Sequence, residues 1–126
     1  MDIDAVADRA SESLRAEFGD RVLAVGRYSK TANRQARTVY TAAAFERSHG
    51  ENTSGSVLDD ALLETIARGA YETSHDERLT ATVRIYETLV DVVVPLADGK
   101  GVVVAVDREA DAAMTDVIET VRGAAE

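Results

Sequence analysis

The chain has 126 residues, 23 acidic against 14 basic side chains, a formal charge of −9 at pH 7, and neither cysteine nor tryptophan. That length suits one domain with a real core, and the absence of cysteine excludes a disulfide scaffold, a thiol nucleophile and a cysteine-ligated metal. No apolar run approaches the roughly 18 residues of a membrane helix, and the opening MDIDAVADRA is acidic where a signal peptide is basic, so a cytoplasmic protein without membrane association is expected.

Residues 2–18 carry Ile3, Val6, Ala10, Leu14 and Phe18 at three- and four-residue spacing, which makes one apolar stripe of a helix. Asp2 and Asp4 place carboxylates at its positive end, and Gly19-Asp20 ends it. RVLAVGRY, 21–28, reads as a strand, and ARTVYTAAAF, 36–45, as a second one joined to it by a polar turn, hence a hairpin. ERSHGENTSG, 46–55, is a loop by composition. Ser56 and Asp59 then resemble a capping box ahead of Val57, Leu58, Leu62, Leu63, Ile66, Ala67 and Ala70, a second amphipathic helix stopping near Tyr71 or Glu72.

From Leu79 the period becomes two. LTATVRIYE sets Leu79, Ala81, Val83 and Ile85 on one side and Thr80, Thr82, Arg84 and Tyr86 on the other, a half-buried strand. LVDVVVPL, 89–96, and GVVVAVD, 101–107, follow, joined through Asp98-Gly99, a strong hairpin signal. Pro95 cannot donate to a ladder and is expected to end its strand. Asp107 is placed to cap a last helix over 108–122, with Ala110, Ala113, Met114, Val117, Ile118 and Val121 inward and Gly123 as its stop.

The order is thus α-β-β-α-β-β-β-α, with no repeat and no linker. The expected fold class is α+β, a single mostly antiparallel five-stranded sheet with three helices. The two Val-Val-Val runs, 92–94 and 102–104, do not alternate, which places their strands near the middle of the sheet with both faces covered.

Lysine occurs only at Lys30 and Lys100, so arginine supplies nearly all the basic charge. At molar salt the screening length is about 3 Å, so an excess of carboxylates costs little there. The composition resembles that of halophilic, haloarchaeal cytoplasmic proteins. Bulk acidity is then adaptation to salt and says nothing about a basic ligand.

The element order, with the ending LVDVVVPLADGKGVVVAVDREADAAM and a terminal amphipathic helix, resembles the roadblock and profilin-like group, to which the PAS and GAF sensor folds are related. A closer likeness, carried by TVRIYETLVDVVVPLADGKGVVVAVDRE at 82–109, is to a haloarchaeal family of small proteins of unknown function. The roadblock resemblance implies a dimeric scaffold or regulator of small GTPases without catalysis of its own.

Signs of chemistry are few. His49 and His75 lie in acidic loops and match no zinc spacing. The segment Gly50–Ser56 precedes a helix, whose N-terminus attracts anions, but Ser56 stands where a phosphate-binding loop needs lysine. Asn52-Thr53-Ser54 is a glycosylation sequon without a secretory signal. Asp59-Asp60 and Asp76-Glu77 read as surface charge, and Ser54 and Ser56 lack a hydrolase elbow. No catalytic residue, metal or cofactor is expected.

One segment departs from its background. Between Arg21 and Phe45 lie Arg21, Arg27, Lys30, Arg34 and Arg37 and no acid, with Tyr28 and Tyr40 interleaved. Arg27, Lys30, Arg34 and Arg37 are the interaction candidates. Either they pair with carboxylates of the flanking helices or of a second copy, or their forked donors hold an external partner. Nucleic acid is disfavoured, because phosphate contacts weaken steeply with salt. The expectation is a non-catalytic regulatory or protein-interaction domain, homodimeric through an edge strand or a helix face, whose protein partner is unknown. The alternative is a PAS/GAF-like small-molecule sensor, with a pocket between sheet and helix lined by Ala24, Gly26 and Ala42–Ala44.

Overall fold

Helix α1 (Ile3–Phe18) begins where the Asp2 side chain accepts the Ala5 N–H at 3.2 Å, and it stops at Gly19, whose φ of +59° suits a residue without a Cβ. The computed structural model describes residues 1–32, 35–43, 45–46, 68–109 and 114–126. The strands are β1 (Val22–Ser29), β2 (Ala36–Thr41), β3 (Thr82–Ile85), β4 (Leu89–Ala97) and β5 (Lys100–Asp107). Two further helices are α2, described over 68–75, and α3 (Met114–Ala124). The result is an α+β architecture in the expected order.

The sheet order is β2-β1-β5-β4-β3, and every neighbouring pair is antiparallel. The two valine-rich strands do lie inside. β5 is central, with Val102, Val104 and Val106 on one face and Val103 and Ala105 on the other, all buried. The first face joins Val22, Val25, Val90, Val92 and Val94 to Leu14 and Phe18 of α1 and to Val117 and Val121 of α3. The two helices are also tied to each other: Arg9 Nε donates to the Ala124 carbonyl at 3.1 Å, and the Thr120 hydroxyl to Glu17 at 2.8 Å. On the opposite face Tyr28 packs with Val93 and Val103, and Ala24 with Phe45, Leu89 and Ala105.

Several boundaries differ from the sequence expectation. β2 ends at Thr41 rather than at 45: the N–H groups of Phe45 and Glu46 both turn back to the Ala42 carbonyl, because the alanine run favours a helical turn over a strand. Pro95 does not end β4. The strand runs two residues further, and the missing donor is absorbed by a register shift between Pro95 and Ala97. Gly123 lies inside α3 rather than beyond it. Asp107 does cap locally, accepting the Glu109 N–H at 2.9 Å. Most of the second helix, with Ser56 and Asp59, and residues Ala110 and Ala113 lie outside the described residues.

The largest correction concerns β3. Its alternation is real, but Val83 and Ile85 are 40% and 58% exposed, so the apolar side faces out. Register explains it. Val83 pairs with Val92 and Ile85 with Val90, on the α1/α3 face, yet α1 packs over β1 and β5, and α3 over β4. Among the described residues, the cover given by α1 and α3 ends one strand short of the edge.

Candidate functional site

The expected cationic hairpin is divided by the fold. Arg27 on β1 and Arg37 on β2 are directly opposed partners and share the α1 side. Both reach Asp4, in the first turn of α1: its Oδ1 accepts from Arg27 Nε at 2.9 Å and from Arg37 Nη1 at 2.8 Å. Arg27 is only 4% exposed, whereas Arg37 is half-exposed at the rim. Of the pairings left open by the sequence, these two residues take the one within the chain. The carboxylate sits in the first turn of its helix, where the dipole favours its negative charge. The interleaved tyrosines are not displayed: Tyr28 is buried, and Tyr40 lies 4.4 Å below the Arg15 guanidinium.

The hydrogen bonds from Arg27 and then Arg37 hold the Asp4 carboxyl below its ordinary value of 3.8. Depression fixes the sign. The clamp stabilises the fold fully above that value and is lost as pH falls through and below it. Because Asp4 is well exposed, Asp4→Asn is expected to cost only about 1 kcal/mol near neutral pH. The difference from wild type should shrink progressively as pH falls below 3.8, as read by urea denaturation at neutral and at acid pH.

Lys30 belongs elsewhere. Its N–H donates to the Gly99 carbonyl at 2.9 Å, and its stem lies across Gly99 at the β4–β5 turn. There it lines an open groove of about 500 Å³ with Arg68, Glu72, Arg78 and Pro95–Gly99. Arg34 is outside the described residues. Arg68, Arg78 and Arg122 were not marked by any local pattern, because three separate segments supply them.

The third feature is the β3 edge. Arg84 Nε donates to Asp91 Oδ1 at 3.0 Å, and Asp91 is fully buried. The two residues are cross-strand partners, seven apart around a tight turn, so this pair was readable from hairpin register. The Tyr86 N–H donates inward to the Leu89 carbonyl at 2.8 Å. Strand alternation then directs the N–H groups of Val83 and Ile85 away from β4. Beside them Tyr86 and Tyr71 are exposed.

The remaining candidates are soon placed. His75 is exposed at the end of α2, and His49 lies outside the described residues, as does the segment Gly50–Ser56. Among the described residues no group of His, Asp and Glu could hold a metal ion, and no helix is long and apolar enough to cross a membrane. Ala24 and Ala42 pack against Phe45, Leu89 and Ala105, which is close packing at part of the expected sensor pocket.

No curated protein matches the chain. Among solved structures it is similar to Myxococcus xanthus MglB, with a TM-score of 0.57 at 12% identity over 96% of this chain and 92% of that one. That likeness concerns the fold and supports the roadblock resemblance. A family described as a domain of unknown function (DUF7522) matches residues 8–126, and the chain belongs to that family.

Proposed function

We propose that residues 1–126 form one roadblock/profilin-like domain that acts without catalysis as a regulatory, protein-interacting homodimer in a salt-rich cytoplasm. The observation that carries this reading is the β3 edge. Sheet edges in soluble proteins are usually blunted by lysine, proline or an outward charge. Here Val83, Ile85 and Tyr86 are exposed, and the one charge of the strand, Arg84, is turned onto Asp91.

A second copy fits that edge. Two β3 strands related by a two-fold axis pair antiparallel and use the same patch twice, so assembly closes at two. The outward N–H groups of Val83 and Ile85 gain acceptors, and their side chains leave water. The cations of the first hairpin provide a second surface. Arg37, half-exposed beside Asp4, addresses an acidic partner together with the other sequence candidates Arg34 and Lys30, and Arg27 holds the Asp4 clamp. The roadblock resemblance suggests a small GTPase as that partner.

Sedimentation velocity tests the reading in dilute buffer and in molar salt. Wild type is expected to sediment at twice the 13.5 kDa chain mass, and Val83→Lys/Ile85→Lys as a monomer with unchanged circular dichroism. A wild-type monomer at every concentration, or a double variant that still dimerises, would refute it.

A further inference from the structure

The groove at the β4–β5 tip gathers charge of the wrong sign for this chain. Its walls hold Lys30, Arg68 and Arg78. An adjoining hollow of about 310 Å³ shares Arg68, Arg78, Pro95 and Leu96 and adds Arg122. Four cations therefore converge from the turn after β1, α2, the α2–β3 segment and α3, against two lining carboxylates, Glu72 and Asp98.

Those carboxylates offset only part of the positive charge. Glu72 lies 3.1 Å from Arg68 Nε, and its other oxygen accepts the Leu79 N–H at 3.1 Å, so it is spent on holding the end of α2. Arg122 gives one nitrogen to the Thr80 carbonyl at 2.8 Å. Among the described residues Lys30 and Arg78 are held by no carboxylate. In a chain with 23 acids, four lining cations against two carboxylates, one of them committed to Arg68 and Leu79, make a locally positive site. Pro95, Leu96 and Ala97 give the same groove an apolar wall. Its volume falls in the range of small-molecule sites, roughly 300–1,000 Å³.

We propose that this groove binds a small organic phosphate, with its phosphoryl oxygens held by Lys30, Arg68 and Arg78 and its carbon skeleton against Pro95–Ala97. Arginine forks match phosphoryl oxygens two at a time, and lysine adds a point charge. The site is independent of self-association through β3.

The test is an amide-shift titration of the full chain with phenyl phosphate and, in parallel, with inorganic pyrophosphate. Both are expected to give saturable shifts at Lys30, Gly69, Arg78 and Gly99. Tighter binding of phenyl phosphate supports the apolar wall, and equal binding at the cations with no shift at Leu96 or Ala97 overturns that part. Lys30→Gln and Arg78→Gln, both at exposed positions that leave the fold intact, should each weaken binding about tenfold or more. Arg37→Gln should leave it unchanged, as should Ile85→Lys. Shifts that never saturate, or that survive the Lys30→Gln/Arg78→Gln double change, would show only diffuse attraction and overturn the proposal.

Discussion

Gly101→Val is expected to remove a large part of the protein's stability, and Gly101→Ala to cost nearly as much. Gly101 lies on β5 opposite Tyr28 of β1 and Pro95 of β4. A Cβ there collides with the Tyr28 phenol and the Val94 carbonyl. Neither gives way easily. The carbonyl is ladder backbone, and the Tyr28 ring is buried against Val93 and Val103. Overpacking of this kind costs about 1–3 kcal/mol or more, against a total stability of about 5–15 kcal/mol for a domain. Gly123→Ala is the matched contrast. A Cβ at Gly123 meets nothing, and the residue lies inside α3. That change should stabilise by up to about 1 kcal/mol. Urea denaturation of the three variants checks the ordering. A Gly101→Val protein as stable as wild type would mean that β5 does not sit between β1 and β4 as described.

Arg84→Met is the second large effect. Asp91 is fully buried, and Arg84 is its cross-strand cation at 3.0 Å. Removing the cation takes its counter-charge from a carboxylate buried in the sheet, at a cost of about 3 kcal/mol or more. Replacing both residues, as in Arg84→Met/Asp91→Leu, takes away the buried charge as well and should restore most of the loss. Denaturation of wild type, the single and the double variant measures this. A single-variant cost under about 1 kcal/mol would class the pair with ordinary surface bridges. The pair also bears on assembly. It fastens β3 to β4 and keeps the one charge of the strand off its outer side.

The order of elements was legible because each announces itself locally. Leu14 and Phe18 share a helical stripe with Ile3, and 79–86 alternate strictly. The unbroken valines of β4 and β5 said that both faces were covered, and they were. Strand order was not legible, since β1 meets β5 across some seventy residues of chain and no local pattern encodes that pairing. Alternation in β3 told which side Val83 and Ile85 share but not whether a helix reaches that far. The Asp4 clamp joins residues 23 and 33 apart, so the sequence showed an acid-free hairpin without showing its counter-charge. The groove was hidden for the same reason. Of its four cations only Lys30 stood in the anomalous segment.

Amide hydrogen exchange along β3, followed across protein concentration, tests self-pairing of the edge most directly. The Val83 and Ile85 amides should exchange freely in the dilute monomer and slow together as dimer forms, while Arg84 and Tyr86 stay protected throughout. Val83 and Ile85 amides that remain fast in a sample sedimenting as a dimer would place the interface elsewhere on the molecule.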